Sequence, residues 1–182
     1  MMRFIFFIFI FFFFIFSPVN GQFISWMTLE EALSAQKNIP KKIIIDVYTD
    51  WCGPCKTMDT KTFGNKYIAE YINEYYYAVK FNAEGNEEIY FFDQKFINPD
   101  YQPIKKGRNG THQLTHFLQV KGYPTVVFLS EEGDPIMPII GYHNVQELEL
   151  YLKLIKQGDY SIFSTPKDFE KYKKYFKPKF ID

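Results

Sequence analysis

The sequence predicts an α/β fold, and two observations carry this prediction. Residues 42–49 and 75–82 are short apolar runs typical of strands, and a helical segment at 52–73 lies between them. Two strands separated by one helix form a βαβ unit, in which the strands pair in parallel. Farther along, residues 123–129 and 136–140 predict two more strands. The turn between them is short, so this second pair should form an antiparallel hairpin.

Ahead of the βαβ unit, residues 25–36 predict a helix. Thr28 and Glu31 have the spacing of a capping box, in which each side chain bonds the backbone N–H of the other residue. Because apolar residues recur at helical spacing, we expect one apolar face made of Trp26, Leu29, Ala32 and Leu33.

The remaining segments complete the expected order of elements. The helix at 52–73 should bend near Phe63, Gly64 and Asn65. Residues 89–97 predict either a strand or a small hairpin. Further helices are expected at 111–120, at 144–157 with Asn144 as N-cap, and in part at 166–176.

The first residues of the sequence have the pattern of a targeting segment. Residues 1–21 predict a signal peptide, in which Arg3 precedes an unbroken apolar run over 4–16 and small residues follow up to Gly21. An uncleaved membrane anchor is the alternative. A spanning helix needs about 20 apolar residues, however, and Pro18 stops this run short. After cleavage we expect no stable membrane span.

The rest of the chain suits one domain. We expect a domain over residues 22–160 with an insert at about 84–111, followed by a basic and aromatic tail over 161–182. The 182-residue sequence has 21 basic and 21 acidic residues, so its formal net charge is zero. This balance offers no electrostatic case for a nucleic-acid partner.

Cys52 and Cys55 are the only cysteines of the sequence. A pair this close encloses a tiny loop and stabilises a fold little, so a chemical role fits it better than a structural one. Cys52 lies where a helix follows a strand, and the start of a helix favours a thiolate, the attacking species in disulfide exchange. Cys55 follows one turn later and can resolve a mixed disulfide, while Pro54 is tolerated in the first helical turn.

The cysteine pair could instead be a static disulfide, two inert thiols, or half of a metal site. A zinc site needs four ligands, and there is no second cysteine pair. His112 and His116 have the i, i+4 spacing of a chelating pair, but two residues on a helix surface are the simpler interpretation. We therefore expect no metal and no cofactor.

Several separated features resemble the thioredoxin family in the same order. The run Trp51-Cys52-Gly53-Pro54-Cys55 follows a strand, as at a thioredoxin active site. Asp46 lies where the family has a buried acid, and Lys80 lies where many members have a lysine paired with that acid. The run Gly122-Tyr123-Pro124-Thr125 resembles the family's cis-proline loop. The likeness covers about residues 25–157 and points to exported thioredoxin-like proteins of Bacteroidetes-type bacteria.

The resemblance implies a thioredoxin-like three-layer α/β/α sandwich with a mixed central sheet. It also implies that Cys52 is the nucleophile and Cys55 the resolving thiol. Asp46, with a pKa raised by burial, would exchange a proton with Cys55, directly or through water. The alternative is that Asp46 and Lys80 form a purely structural pair.

A substrate-binding surface is implied as well. With Pro124 in cis, the backbone of Tyr123 or Thr125 would be free to bond an extended substrate chain. Trp51 would either pack beside the disulfide and shape the docking surface or be a plain core aromatic. Gly53 and Pro54 would complete that surface.

The implied function is a thiol–disulfide oxidoreductase in the periplasm of a Gram-negative bacterium. It would reduce protein disulfides, because Gly53 and Pro54 between the cysteines resemble the reducing members of the family. Such a reductase would take its electrons from a membrane donor, since the envelope is kept oxidising. The alternatives are an oxidase or isomerase with the same couple, and a chaperone-like module that binds clients in the Pro124 groove.

Two departures from the family pattern bear on this function. The insert makes the segment between Lys80 and Pro124 longer than in a minimal thioredoxin. It could reach the rim of the active site and select substrates, or have no role. In addition, the run from Tyr48 to Asp50 differs from the usual aromatic-Ala-Glu run, which bears on the acidity of Cys52.

Overall fold

A computed structural model of the protein describes residues 23–181. The predicted signal peptide at 1–21 lies outside the described residues. Within residues 23–181, none of the helices combines the length and the apolar character that crossing a membrane requires.

Helices and strands alternate along most of the chain. The first part contains β1 Trp26–Met27, α1 Leu29–Gln36, β2 Lys42–Tyr48, α2 Gly53–Met58, a π-helical turn Asp59–Phe63, α3 Lys66–Tyr75 and β3 Tyr76–Asn82. The insert holds β4 Ile89–Phe91 and β5 Gln94–Phe96. The last part contains α4 Gln113–Phe117, β6 Thr125–Leu129, β7 Pro135–Ile140, α5 Val145–Gln157, a 3₁₀ turn Asp159–Ile162 and α6 Pro166–Tyr175.

The central sheet of the described chain has five strands in the order β1-β3-β2-β6-β7. β1 and β2 both pair in parallel with β3, whereas β6 runs antiparallel to β2 and to β7. The predicted parallel βαβ unit and the antiparallel hairpin are therefore confirmed. In this register Asp46 of β2 is the direct neighbour of Lys80 of β3.

Helices cover both faces of this sheet. Successive strand residues point to opposite faces. Ile44, Ala78 and Phe128 accordingly pack in one core cluster with side chains of α3 and α5. Ile45 and Val79 pack in a second cluster with side chains of α1 and α4. The predicted three-layer α/β/α sandwich with a mixed central sheet is confirmed.

The first helix begins later than predicted. Thr28 is its N-cap, with extended backbone angles, and the capping box with Glu31 is confirmed. The residues before Thr28 are extended as well, so Trp26 pairs with Ala78 in the sheet. Its ring contacts Phe63, with 5.2 Å between the ring centroids, in the cluster on the α3 and α5 face. The prediction that Trp26 shares an apolar face with Leu29 is wrong, because Leu29 packs on the opposite side of the sheet.

The long helix of the βαβ unit breaks where it was predicted to bend. The π-helical turn follows α2 directly, and the break comes at Gly64 and Asn65. A β-carbon on Gly64 would lie 2.5 Å from the carbonyl oxygen of Thr60, so a side chain does not fit there. Asn65 then starts α3 as its N-cap and accepts a hydrogen bond from the backbone N–H of Tyr67 at 2.9 Å.

Of the two expectations for residues 89–97, the hairpin is correct, since β4 and β5 pair antiparallel. The tail forms α6 and then returns to the domain. Phe180 stacks on Tyr67 of α3, and Glu149 of α5 accepts hydrogen bonds from the backbone of Lys179 and Phe180. The tail thus packs across α3 and α5.

Candidate active site

Cys52 and Cys55 form a disulfide at the start of α2. Their Cα atoms are 5.3 Å apart, and both residues are buried. Cys52 is the N-cap of the helix, and its Sγ accepts a hydrogen bond from the backbone N–H of Cys55 at 3.1 Å. An N–H directed at sulfur stabilises a thiolate more than a thiol, so this position favours Cys52 as the attacking group in the reduced state.

Gly53 and Pro54 form the exposed first turn of α2. A β-carbon on Gly53 would meet no atom within 4 Å, so the surface beside the disulfide is open at this point. The missing N–H of Pro54 falls where a helix leaves such groups unbonded. Both residues are therefore placed where a docking chain can reach them.

Asp46 is a buried carboxyl group held against one lysine. The Nζ atom of Lys80 lies 3.3 Å from Asp46 Oδ2, and only 3% of Asp46 is exposed. Burial raises the pKa of Asp46 from 3.8 to about 6, because a charge is poorly solvated in the protein interior. The positive charge of Lys80 opposes this rise without cancelling it.

Lys80 also forms an ion pair with Asp59. The negative charge of Asp59 adds to the rise in the pKa of Asp46. On its other sides, Lys80 Nζ lies 5.0 Å from the ring centroid of Trp26 and 5.3 Å from that of Tyr48. Lys80 thus forms ion pairs with two carboxylates and lies beside two aromatic rings.

Sequence reasoning missed Asp59. It is the first residue of the π-helical turn that follows α2, four residues after Cys55. That spacing of one helical turn puts Asp59 and Cys55 on the same side of a helix, and it was the available signal. π-helical turns are frequent at functional sites.

The predicted proline loop lies before β6. The peptide bond between Tyr123 and Pro124 is cis. Pro124 is buried, and its carbonyl oxygen accepts a hydrogen bond from the N–H of Gly141 at 2.8 Å. Of the two residues that were alternatives for a free backbone, Thr125 lies inside the sheet, between Val47 and Ile140.

Tyr123 is the residue of this loop with free backbone. Its N–H and carbonyl form no hydrogen bond within residues 23–181. Its ring meets Trp51 edge to face, with 6.0 Å between the ring centroids. Trp51 is 37% exposed, so it belongs to the surface beside the disulfide rather than to the core.

Residues of the insert contact Trp51, at the surface beside the disulfide. Glu84 accepts hydrogen bonds from the indole Nε1–H of Trp51 at 2.9 Å and from the backbone N–H of Asn109 at 2.8 Å. The guanidinium of Arg108 lies 4.5 Å from the centroid of the Trp51 ring. Between Trp51 and the insert is an open cleft of about 450 Å³, whose lining includes Lys105.

The expectation of a surface histidine pair is wrong for His112. His112 is fully buried and is the N-cap of α4, and its Nδ1 accepts a hydrogen bond from the N–H of Leu114 at 3.1 Å. His116 is exposed. In the part of the chain that the structure describes, no three His, Cys, Asp or Glu side chains stand close enough together to hold a metal ion.

Comparison with known proteins gives a consistent family. Residues 29–156 match the family described as the Thioredoxin-like domain. The thiol:disulfide interchange protein DsbD of Pectobacterium atrosepticum is 23% identical over 122 residues, which make up 66% of this chain and 17% of that protein. DsbD of Pasteurella multocida is 26% identical over 112 residues, or 62% of this chain and 15% of that protein. The chain thus spans about one sixth of the length of these curated relatives.

Solved structures show the same fold. A thioredoxin-fold protein from Helicobacter pylori superposes with a TM-score of 0.57 at 18% identity, covering 86% of this chain and 88% of that one. A DsbH oxidoreductase gives a TM-score of 0.53 at 19% identity, covering 80% and 90%. A candidate disulphide isomerase from Bacteroides thetaiotaomicron gives 0.52 at 24% identity, covering 77% and 96%. At these identities the likeness concerns the fold.

Proposed function

The chain belongs to the thioredoxin-like domain family, and on that premise we propose that it is a thiol–disulfide oxidoreductase of the cell envelope that reduces protein disulfides. The observation that carries the proposal is the Cys52–Cys55 disulfide at the start of α2, formed by the only two cysteines of the sequence. The local similarity to DsbD, a thiol:disulfide interchange protein, supports the same chemistry.

Each cycle transfers two electrons and two protons. In the reduced protein the Cys52 thiolate attacks one sulfur of the substrate disulfide, forms a mixed disulfide and releases the other substrate sulfur as a thiolate, which takes up a proton. The Cys55 thiol loses its proton and attacks Cys52 Sγ. The mixed disulfide breaks, the second substrate sulfur leaves as a thiol, and Cys52 and Cys55 end as the disulfide.

Asp46 is the proposed proton acceptor for Cys55. With a pKa of about 6, its carboxyl group is mostly ionised at neutral pH and can still release the proton afterwards. Lys80 is the proposed positioning residue, since it holds Asp46 by an ion pair. The exposed Trp51, the Gly53–Pro54 turn and the free backbone of Tyr123 would receive the substrate chain.

The reducing direction and the envelope location rest on the sequence. Gly53 and Pro54 between the cysteines resemble reducing thioredoxins, and the leader at 1–21 favours export to the periplasm. A reductase in an oxidising compartment needs an electron donor, which we propose to be a membrane protein with a dithiol. The donor's two thiols would reduce the Cys52–Cys55 disulfide and become a disulfide themselves.

A trapping experiment tests the proposal. In a Cys55→Ser variant, Cys52 can attack a substrate but no thiol resolves the product, so mixed disulfides with envelope proteins should accumulate. They would be visible on a non-reducing gel and would vanish with dithiothreitol. The matched Cys52→Ser variant should trap few or none. Equal trapping by both variants, or none by either, would contradict the proposed roles. A Cys52→Ser variant with full cellular function would point instead to a client-binding module.

A further inference from the structure

The insert carries an exposed group of positive charges, here called the cationic loop, residues 104–108. It contains Lys105, Lys106 and Arg108, and all three are exposed. None of them forms an ion pair within residues 23–181. Ile104, at the start of the loop, is 94% exposed. The charges of this loop are therefore available to another molecule.

Hydrogen bonds fix the base of the cationic loop. The buried side chain of Asn98 donates to the carbonyl oxygens of Gly85 at 2.9 Å and Gly110 at 2.7 Å. Asn109 and Gln102 exchange two hydrogen bonds across the loop, at 2.8 and 2.9 Å. Since these bonds join the two sides of the base to each other and to Gly85, the loop presents its cations at a defined place.

That place is the rim of the proposed redox centre. Arg108 lies over the ring of Trp51, which directly precedes Cys52. Lys105 lines the cleft that the insert forms with Trp51. A protein that docks against Trp51 to bring its disulfide to Cys52 would therefore lie close to the cationic loop.

Three carboxylates line the same cleft, and they belong to Asp50, Glu84 and Glu87. Glu84 is already bonded to Trp51 and to the backbone of Asn109. Asp50 accepts a hydrogen bond from the side chain of Asn82 at 3.3 Å. These acids line the cleft together with Lys105, whereas Lys106 and Arg108 lie outside its lining, and all three cations are exposed to a chain that approaches Cys52.

We propose that the cationic loop is a docking surface for an acidic segment next to the disulfide of the substrate protein. The inference rests on the proposed function and names its substrate class. With a formal net charge of zero, the whole molecule would not steer acidic partners, so the preference must come from this local group. Complementary charge at a docking site mainly speeds association and selects partners. A protein segment fits the location better than a lipid surface, because Arg108 contacts Trp51, the chain neighbour of the cysteine that would meet the substrate disulfide.

The test compares two synthetic peptides of equal length, each with one intramolecular disulfide, flanked by glutamates in one and by lysines in the other. The reduced protein is mixed with each peptide, and thiol alkylation followed by mass spectrometry gives the rate of exchange. The acidic peptide should react roughly tenfold faster at low salt. That ratio should fall towards one at about 0.5 M salt, where charges are screened over a few ångströms.

Charge reversal assigns the preference to the loop. In the double variant Lys105→Glu, Lys106→Glu the ratio between the peptides should fall to about one or invert. The control variant Lys167→Glu, Lys177→Glu reverses two exposed lysines of the tail and should keep the ratio. Circular dichroism checks that both variants are folded. Because each protein is compared with itself on two peptides, a general change in the reactivity of Cys52 cancels.

The outcomes separate this inference from the proposed function. Equal rates for the two peptides, or a preference for lysines, would overturn the docking surface while leaving the redox function intact. A protein that reacts with neither peptide and with no small aromatic disulfide would overturn the function itself. Binding to anionic lipid vesicles that the loop variant loses, without any peptide preference, would overturn the inference in favour of a lipid surface.

Discussion

Single residues set the electrostatics of the site, and Lys80 is central among them. Its one positive charge is shared between Asp46, which is buried, and Asp59, which is partly exposed. Burial therefore raises the pKa of Asp46 more than the ion pair with Lys80 lowers it, and the pKa reaches about 6. An ionised Asp46 therefore lowers the free energy of unfolding, and the group titrates close to neutral pH.

Replacing Asp46 should change how stability depends on pH. Since the pKa of Asp46 is higher in the folded protein than the 3.8 of an exposed Asp, the folded state binds more protons between these values. Ionisation then lowers the free energy of unfolding as pH rises from about 4 to about 6, and the full cost is present above pH 6. At about 1.4 kcal/mol per pKa unit, this cost is at most about 3 kcal/mol.

An Asp46→Asn variant lacks this cost. The unfolding free energy of the variant minus that of the parent should therefore increase by roughly 1–3 kcal/mol between pH 4 and pH 7. Urea denaturation of the oxidised proteins across this range measures the difference. The matched variant Asp134→Asn alters an exposed Asp. A difference that stays constant with pH for Asp46→Asn would contradict the assignment.

Helix caps could be predicted from the sequence, whereas features that depend on contacts between distant residues could not. The capping box of Thr28 and the N-cap Asn144 were predicted correctly, because a cap is formed by residues three apart. The strand at Trp26 was missed, because two residues become a strand only by pairing with Ala78. His112 was misplaced for a similar reason, since its burial depends on contact with the insert, where Nε2 lies 2.9 Å from the carbonyl oxygen of Glu87.

In the candidate active site, too, some residues could be predicted from the sequence and others could not. The cysteine pair could be predicted from the residues themselves, and Asp46 and Lys80 from their resemblance to positions of the thioredoxin family. The spacing of Asp59 from Cys55 indicates its side of the helix, but its approach to Lys80 is seen only once the π-helical turn is known. The contact of Arg108 with Trp51 joins residues that are far apart in the chain, and no sequence pattern marks it.

The insert should be sensitive to one added methyl group. A β-carbon on Gly110 would lie 2.6 Å from the backbone of Asp100 and 2.7 Å from Asn98 Oδ1. Gly110→Ala should therefore displace the base of the insert, lower the free energy of unfolding by about 1–3 kcal/mol and expose Trp51 further. Denaturation measures the stability, and acrylamide quenching of tryptophan fluorescence measures the exposure.

Gly53→Ala is the matched control, because its β-carbon meets no atom within 4 Å. Alanine also favours a helix over glycine, so this variant should keep or slightly raise stability. If Gly110→Ala leaves both stability and quenching unchanged, the insert is not anchored in the way described.

At the scale of the whole molecule, the tail ties two helices together. Glu149 is fully buried, and its carboxylate accepts the backbone N–H groups of Lys179 and Phe180, each at 2.9 Å. Lys153 forms an ion pair with the same carboxylate. Phe180 stacks on Tyr67, so the tail covers the outside of α3 and α5. A buried carboxylate deprived of its donors is costly, which makes the tail a structural part of the domain.

Truncation after Pro178 should destabilise the domain. It removes the hydrogen bonds of two N–H groups to Glu149 and the packing of Phe180, for a loss of roughly 2–4 kcal/mol in the free energy of unfolding. The same truncation in a Glu149→Gln background should cost less, because the charge that needs those donors is absent. Equal losses in the two backgrounds, measured by urea denaturation, would mean that Glu149 does not bind the tail.

The equilibrium reduction potential of the Cys52–Cys55 couple shows directly whether the protein is a reductant. It can be followed by the fluorescence of Trp51 in glutathione or dithiothreitol buffers, with thiol alkylation as an independent readout. We expect a reversible two-electron couple near about −270 mV, the value of a thioredoxin-like reductant. A value near about −120 mV would make the protein a disulfide donor, and the absence of any reversible couple would contradict the redox function altogether.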